Sequence, residues 1–205
     1  MSKELLEIVG TMNIKELKTQ LALQCAPLLT GIKISNLLIV EKKKRAAVIR
    51  LFKNTPISYY VLFESEDKIT FFLYIESKLM EYLATKEVKE AMQFLGYENR
   101  TLAEIFEDVA VMYAGYMTKQ GEFPHELGLL LGYPAEDVMG FIKHQGKNFL
   151  YSGYWKVYGN LAQALEMFQQ YNEAKENVIK MIATGTNVTK IVNRYYSNSY
   201  TTILA

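Results

Sequence analysis

Phe123-Pro124-His125-Glu126-Leu127-Gly128 leads through Leu131-Gly132-Tyr133-Pro134 into Ala135-Glu136-Asp137-Val138, and no other stretch of the chain gathers as many groups able to do chemistry. It contains His125, one of 2 histidines in the protein. An imidazole changes charge near neutral pH, so His125 beside Glu126 is a candidate acid–base pair. The single cysteine, Cys25, is the corresponding candidate nucleophile, with His125 as base and Glu126 or Asp137 as orienter. A thiolate is favoured by a helix N-terminus or a nearby cation. Helical spacing instead sets Cys25 near a helix C-terminus, where the partial negative charge opposes ionisation. A small buried side chain continuing an apolar stripe from Leu21 is the simpler role for it.

Metal binding fits the spacing poorly. On a helix, His125 and Glu126 diverge by roughly 100° and cannot easily share one ion. Leu129 stands where a zinc-protease motif would carry its second histidine. No metal site is expected, and the residues name no cofactor.

The better expectation is a pocket. Phe123, Tyr133, Phe141, Tyr154, Trp155 and Tyr158 could line it, with His125, Glu126 and Lys156 as polar contacts. Trp155 and Lys156 alternate along a strand, so only one of the two need face it. The function expected on this basis is a cytosolic binding or interaction protein taking a small molecule or peptide. The alternative is a small enzyme using His125 and Glu126 as acid–base, with Cys25 beside them. A third reading makes residues 124–131 and 134–145 a helix-turn-helix. Glu136 and Asp137 would then enter the DNA groove, where phosphates repel them.

Several elements must position these groups. Asn13 can cap a helix carrying Ile14, Leu17 and Leu21, and Pro27 predicts its end near Cys25. Residues 36–40 read as a short buried strand, and the basic run 42–45 leads into a helix over 46–52. Residues 57–64 and 69–75 form a hairpin across the polar turn 65–68, apolar on both faces. Helices follow over 76–84 and 86–95, closed by Gly96. Thr101-Leu102-Ala103-Glu104 is a capping box that opens another, ended by Gly121. Pro124 and Pro134 begin short helices that Gly132 and Gly146 terminate. Residues 149–158 alternate as a strand, with Gly153 a point of close backbone approach. Asn160 caps a long helix closed by Gly185, and a shorter one over 188–195 precedes a polar tail, flexible from about residue 197. The expected class is α+β: one domain over residues 1–205, with a small, mainly antiparallel sheet of about four strands flanked by many helices. The strand over 149–158 is counted in that sheet.

Composition bounds the rest. The 205 residues are half hydrophobic, enough for one sizeable core. A formal net charge of +1 offers no basic footprint, so a nucleic-acid partner is not expected. The most apolar long window, 21–40, is broken by Gln24, Pro27, Lys33 and Asn36, and falls short of the roughly 20 apolar residues a bilayer requires. The N-terminus lacks the apolar core of a signal peptide. One unpaired cysteine fits a reducing cytosol. The expected partner is a small molecule or another protein, and the residues name no oligomeric state.

Two motif runs carry a resemblance. Phe123-Pro124-His125-Glu126-x-Gly128-x-x-Leu131-Gly132-Tyr133-Pro134-x-x-Asp137-Val138-x-Gly140-Phe141-Ile142 and Gly153-Tyr154-Trp155-Lys156-Val157-Tyr158 resemble an uncharacterised bacterial family, catalogued as a domain of unknown function. Cys25-Ala26-Pro27, Gly31-Ile32-Lys33 and Asn36-Leu37 are similar to its N-terminal motif. The resemblance spans roughly residues 20–185. A histidine often precedes that cysteine in the family, and Gln24 stands there here. The resemblance implies no activity.

Overall fold

The computed structural model describes the backbone over residues 3–201 and side chains over residues 5–196. Tyr59, Val61, Phe63 and the apolar run 69–73 place β-branched and aromatic groups on both sides of a hairpin, and the two segments pair antiparallel as β2 (Ser58–Glu64) and β3 (Lys68–Tyr74). A bulge interrupts the register between Val61 and Phe63. The strand β1 (Ser35–Glu41) takes the other edge of β3, also antiparallel, from Ser35↔Tyr74 to Glu41↔Lys68. The order is therefore β1-β3-β2, with β3 central and buried on both faces.

Each face carries its own core. Phe71, Ile69 and Leu73 point to one packed from α1 (Lys3–Thr11), α2 (Leu17–Leu29), α3 (Arg45–Phe52), the C-terminal half of α9 (Leu161–Ala183) and α10 (Val188–Thr201). Phe72 and Leu62 point to the other, packed from α4 (Glu76–Leu83), α5 (Lys86–Phe94), α6 (Leu102–Met117), α7 (Glu126–Leu130) and α8 (Ala135–Lys143). A third, smaller cluster joins Trp155 and Val157 to Ala164, Phe168 and Tyr171 in the first half of α9. The whole is one α+β unit. Among the described residues no helix is long and apolar enough to cross a membrane.

Three local expectations differ from the structure. The helix of Cys25 does not stop before Pro27; α2 continues through the proline to Leu29. An interior proline costs about 3 kcal/mol, whereas burying one leucine contributes roughly 1.5–3 kcal/mol. Leu28 and Leu29 are both fully buried, so burial wins. The end is then secured by Thr30, whose N–H and hydroxyl both donate to the Ala26 carbonyl. Asn13 does not cap this helix: its side chain accepts from the Lys15 N–H in a local turn, and α2 begins four residues further on. Residues 149–158 do not join the sheet. They fold back on themselves as a two-stranded ribbon, β4 (Tyr151–Ser152) and β5 (Lys156–Val157), turning over Gly153-Tyr154-Trp155. The turn lies so close to α9 that a Cβ on Gly153 would sit 2.3 Å from the Phe168 ring. The sheet thus has three strands rather than about four. The tail expected from about residue 197 is helical as far as Thr201, and residues 202–205 lie outside the described residues.

Candidate functional site

The elbow between α7 and α8 is built by its punctuation. Gly132 has φ +76, a conformation that other residues resist, and lets Tyr133 N–H reach back to the Gly128 carbonyl at 3.0 Å. Gly128 itself leaves room for Val138, which would stand 3.0 Å from any Cβ placed there. The two helices can therefore touch directly. Pro134 then starts α8, whose first turn carries Glu136 and Asp137, where the helix dipole favours negative charge.

Asp137 is the anchor of the region. Its side chain is buried, yet its two oxygens accept three hydrogen bonds: from Trp155 Nε1 at 2.6 Å, from Tyr158 N–H at 2.7 Å and from Gly159 N–H at 2.9 Å. Glu136 accepts from Asn160 N–H at 3.0 Å. The first turn of α8 thus holds the end of the ribbon and the start of α9. Gly140, one turn on, allows the ribbon's backbone to press against the helix; a Cβ there would lie 2.5 Å from Tyr158 Cβ. The N-terminal turn of α8 is thus bonded to the ribbon and to α9, and every residue of α7 is buried.

Between elbow and ribbon lies a half-open cavity of about 170 Å³. Its lining is mostly apolar: Phe123, Gly128, Tyr133, Val138, Phe141 and Trp155. Tyr133 and Trp155 stack with ring centroids 5.1 Å apart, and His125 meets Phe141 at 5.6 Å. Phe168 braces the far side of Trp155 edge-on at 4.5 Å. Lys156 reaches the rim, its ammonium 5.5 Å from the Phe141 ring centre and 4.9 Å from that of Phe149, donating to the Gly146 carbonyl at 2.7 Å.

Phe123, His125, Tyr133, Phe141, Trp155 and Lys156, six of the residues expected in a pocket from sequence, therefore line one cavity. Trp155 and Lys156 both reach it, because Trp155 lies in the turn of the ribbon rather than in register on a flat strand. Glu126 does not: it is turned into the core, accepting from the Tyr97 hydroxyl at 2.8 Å. Desolvation, and then this carboxylate, keep Tyr97 protonated well above the usual tyrosine range. Tyr154 projects outward on the ribbon, where its hydroxyl donates to Asn172 Oδ1 at 3.0 Å. Tyr158 stacks on His144 at 5.6 Å in a separate depression. Val138 and Gly128 complete the wall without a polar signature that could single them out. Asp137, read only as an orienter of His125, is instead the ribbon's acceptor.

Cys25 stands apart from this cavity. It is fully buried between α2 and β1, with Asn36 Nδ2 donating to its sulfur at 3.5 Å. Burial pushes the thiol up to about 12, which removes the thiolate a nucleophile requires. The same Asn36 accepts from Lys33 Nζ at 3.1 Å, so the N-terminal motif residues Cys25, Lys33 and Asn36 form one buried polar chain. Lys33 lies 5.2 Å from the Tyr133 ring centre, behind the cavity wall. Desolvation lowers it to about 8. Gln24 plays a structural part, since its side-chain amide donates to the Ile39 carbonyl and accepts from the Ile39 N–H, closing the free edge of β1. Among the described residues no group of three or more His, Cys, Asp or Glu could hold a metal ion.

Comparison with known proteins adds the family. A model described as "Protein of unknown function (DUF3793)" matches residues 21–192, which takes in all three motif runs, the elbow and the ribbon. No curated protein and no solved structure matches the chain. The chain belongs to the DUF3793 family.

Proposed function

We propose that this protein is a cytosolic binding module that takes a small, ring-sized ligand, free or as a peptide side chain, between the double-proline elbow and the Trp155 ribbon. The observation that carries the reading is the half-open apolar cavity of about 170 Å³ with His125 and Lys156 in its wall. Ligand sites are mostly apolar with a few placed polar groups. An apolar cavity of roughly 150 Å³ accommodates benzene, so one ring with a short substituent fits and a nucleotide does not. The walls stand on helices and on a clamped ribbon, which favours a preformed site. A free, buried cysteine fits a reducing compartment.

Trp155 is the only tryptophan and lies in the wall, so its emission reports occupancy directly. Titration with toluene and benzyl alcohol should shift that emission and raise the melting temperature of the wild type. Val138→Phe, which fills the cavity, should melt cooperatively but respond to neither compound. A wild type indifferent to every ring compound overturns the proposal.

One observation favours a catalytic variant of this reading. The His125 ring makes no hydrogen bond or ion pair among the described residues, which leaves both nitrogens for a bound ligand. It would act as acid–base without Cys25 or Glu126. If His125→Ala binds the ring compounds unchanged, the histidine has no part in the site.

A further inference from the structure

We infer that the cavity selects a ring bearing a carboxylate, and that the Lys156 ammonium reads its charge. This rests on the binding reading above and names the ligand class. Lys156 carries three donors, and the structure gives its ammonium one hydrogen bond, to the neutral Gly146 carbonyl. No Asp or Glu lies within ion-pair distance of it among the described residues, and unlike the exposed unpaired lysines it is half-buried in the wall of a cavity. The faces of Phe141 and Phe149 hold this cation at the rim of the cavity.

The one acid in the wall does not compete. Asp137 spends both oxygens on Trp155, Tyr158 and Gly159, so its hydrogen-bonding capacity is directed into the ribbon and away from the cavity. An aromatic-walled site can also suit a quaternary ammonium, but here Lys156 would repel one. The volume limits the anion further. A cavity of about 170 Å³ has space for a single ring, and one ammonium answers one negative charge rather than a dianionic phosphate. The rings of Tyr133, Trp155, His125 and Phe141 all line the cavity, so an aromatic ligand meets aromatic walls. A planar aromatic monocarboxylate satisfies the shape, the size and the charge together.

Benzoate, benzamide and benzylamine share one ring and differ in charge. Binding to the full chain is followed by Trp155 emission and by calorimetry. Benzoate should bind about tenfold or more tightly than benzamide, as a charge-assisted hydrogen bond in a partly dry site would give. Benzylamine should bind weakest, and added salt should weaken benzoate alone. Lys156→Met should abolish the preference for benzoate over benzamide, and Lys156→Arg should retain it. Equal affinity for benzoate and benzamide, or a preference that survives Lys156→Met, overturns the inference and leaves the cavity as a neutral ring site. Failure of all three compounds to bind overturns the binding reading itself.

Discussion

A lysine buried without a carboxylate carries a desolvation cost that depends on pH. Lys33 is 7% exposed, and its ammonium has Asn36 Oδ1 and the Tyr133 ring as company. Burial holds it at about 8, below its ordinary 10.5. Between those values the unfolded chain keeps a proton that the folded chain has lost. Folding stability therefore rises with pH through that window, and the full penalty stands below about 8. The expected outcome is that Lys33→Met gains stability relative to wild type at pH 7. That gain should shrink by an amount on the order of 3 kcal/mol as the pH approaches 10.5. Urea denaturation of both proteins across this range checks it, and a pH-independent difference would show that the folded ammonium never releases its proton. Cys25 acts with the opposite sign: an unfolded thiol ionises near 9 while the folded one persists to about 12, so it removes stability above pH 9. The Lys33 charge lowers this thiol, so above pH 9 the loss need not be identical in the two proteins.

At the level of elements, the decisive contact is α8 against the ribbon. Helix propensity alone favours alanine over glycine by about 1 kcal/mol, so an unpacked helical glycine should tolerate the change. Gly10 in α1 has nothing within 4 Å of its missing Cβ, and Gly10→Ala should be neutral or stabilising. Gly140 in α8 would drive its Cβ to 2.5 Å from Tyr158 Cβ, an atom tied to backbone that Asp137 already holds. Gly140→Ala should therefore destabilise by about 2 kcal/mol, reversing the propensity sign. Thermal melts of the two variants side by side give the comparison. Equal shifts would mean that helix and ribbon are not in contact. The same two elements both line the cavity, so whatever separates them also dissolves the site.

Across the whole molecule, three packed clusters share two long-range connectors. The helix α9 runs from the Trp155 cluster into the core beneath the sheet, and the elbow links that cluster to the opposite core through Tyr133, which packs against both. In the wild type, Trp155 emission and far-UV circular dichroism should lose signal in one coincident transition. Asp137→Ala removes the acceptor for three donors at once, and buried unpaired groups cost roughly 1–3 kcal/mol each. In that variant the Trp155 transition should move to lower denaturant and precede the loss of helix. Coincident curves in the variant would mean that the ribbon is held by something other than this carboxylate.

The helices, the hairpin and the α+β class were legible in the residues because each depends on near neighbours. The capping box at Thr101 and Glu104 forms as its spacing implies, and Gly96, Gly132, Gly146 and Gly185 all adopt positive φ at helix ends. Apolar alternation on both faces marked β3 for burial on both sides. Much of the cavity's lining was legible too, since its aromatics and polar groups crowd into two short motif runs. Pairing across distance was not. Whether residues 149–158 lie in the sheet or double back depends on Phe168 crowding Gly153, fifteen residues away in chain order. Whether Glu126 or Asp137 serves the site depends on which donors arrive opposite each, and Tyr97 and Trp155 arrive from separate elements. Local periodicity and caps act over a helical turn and can be read along the chain. Burial and hydrogen-bond pairing are decided only when distant segments compete for the same space, and for that reason tertiary structure alone chose the residues that face the cavity.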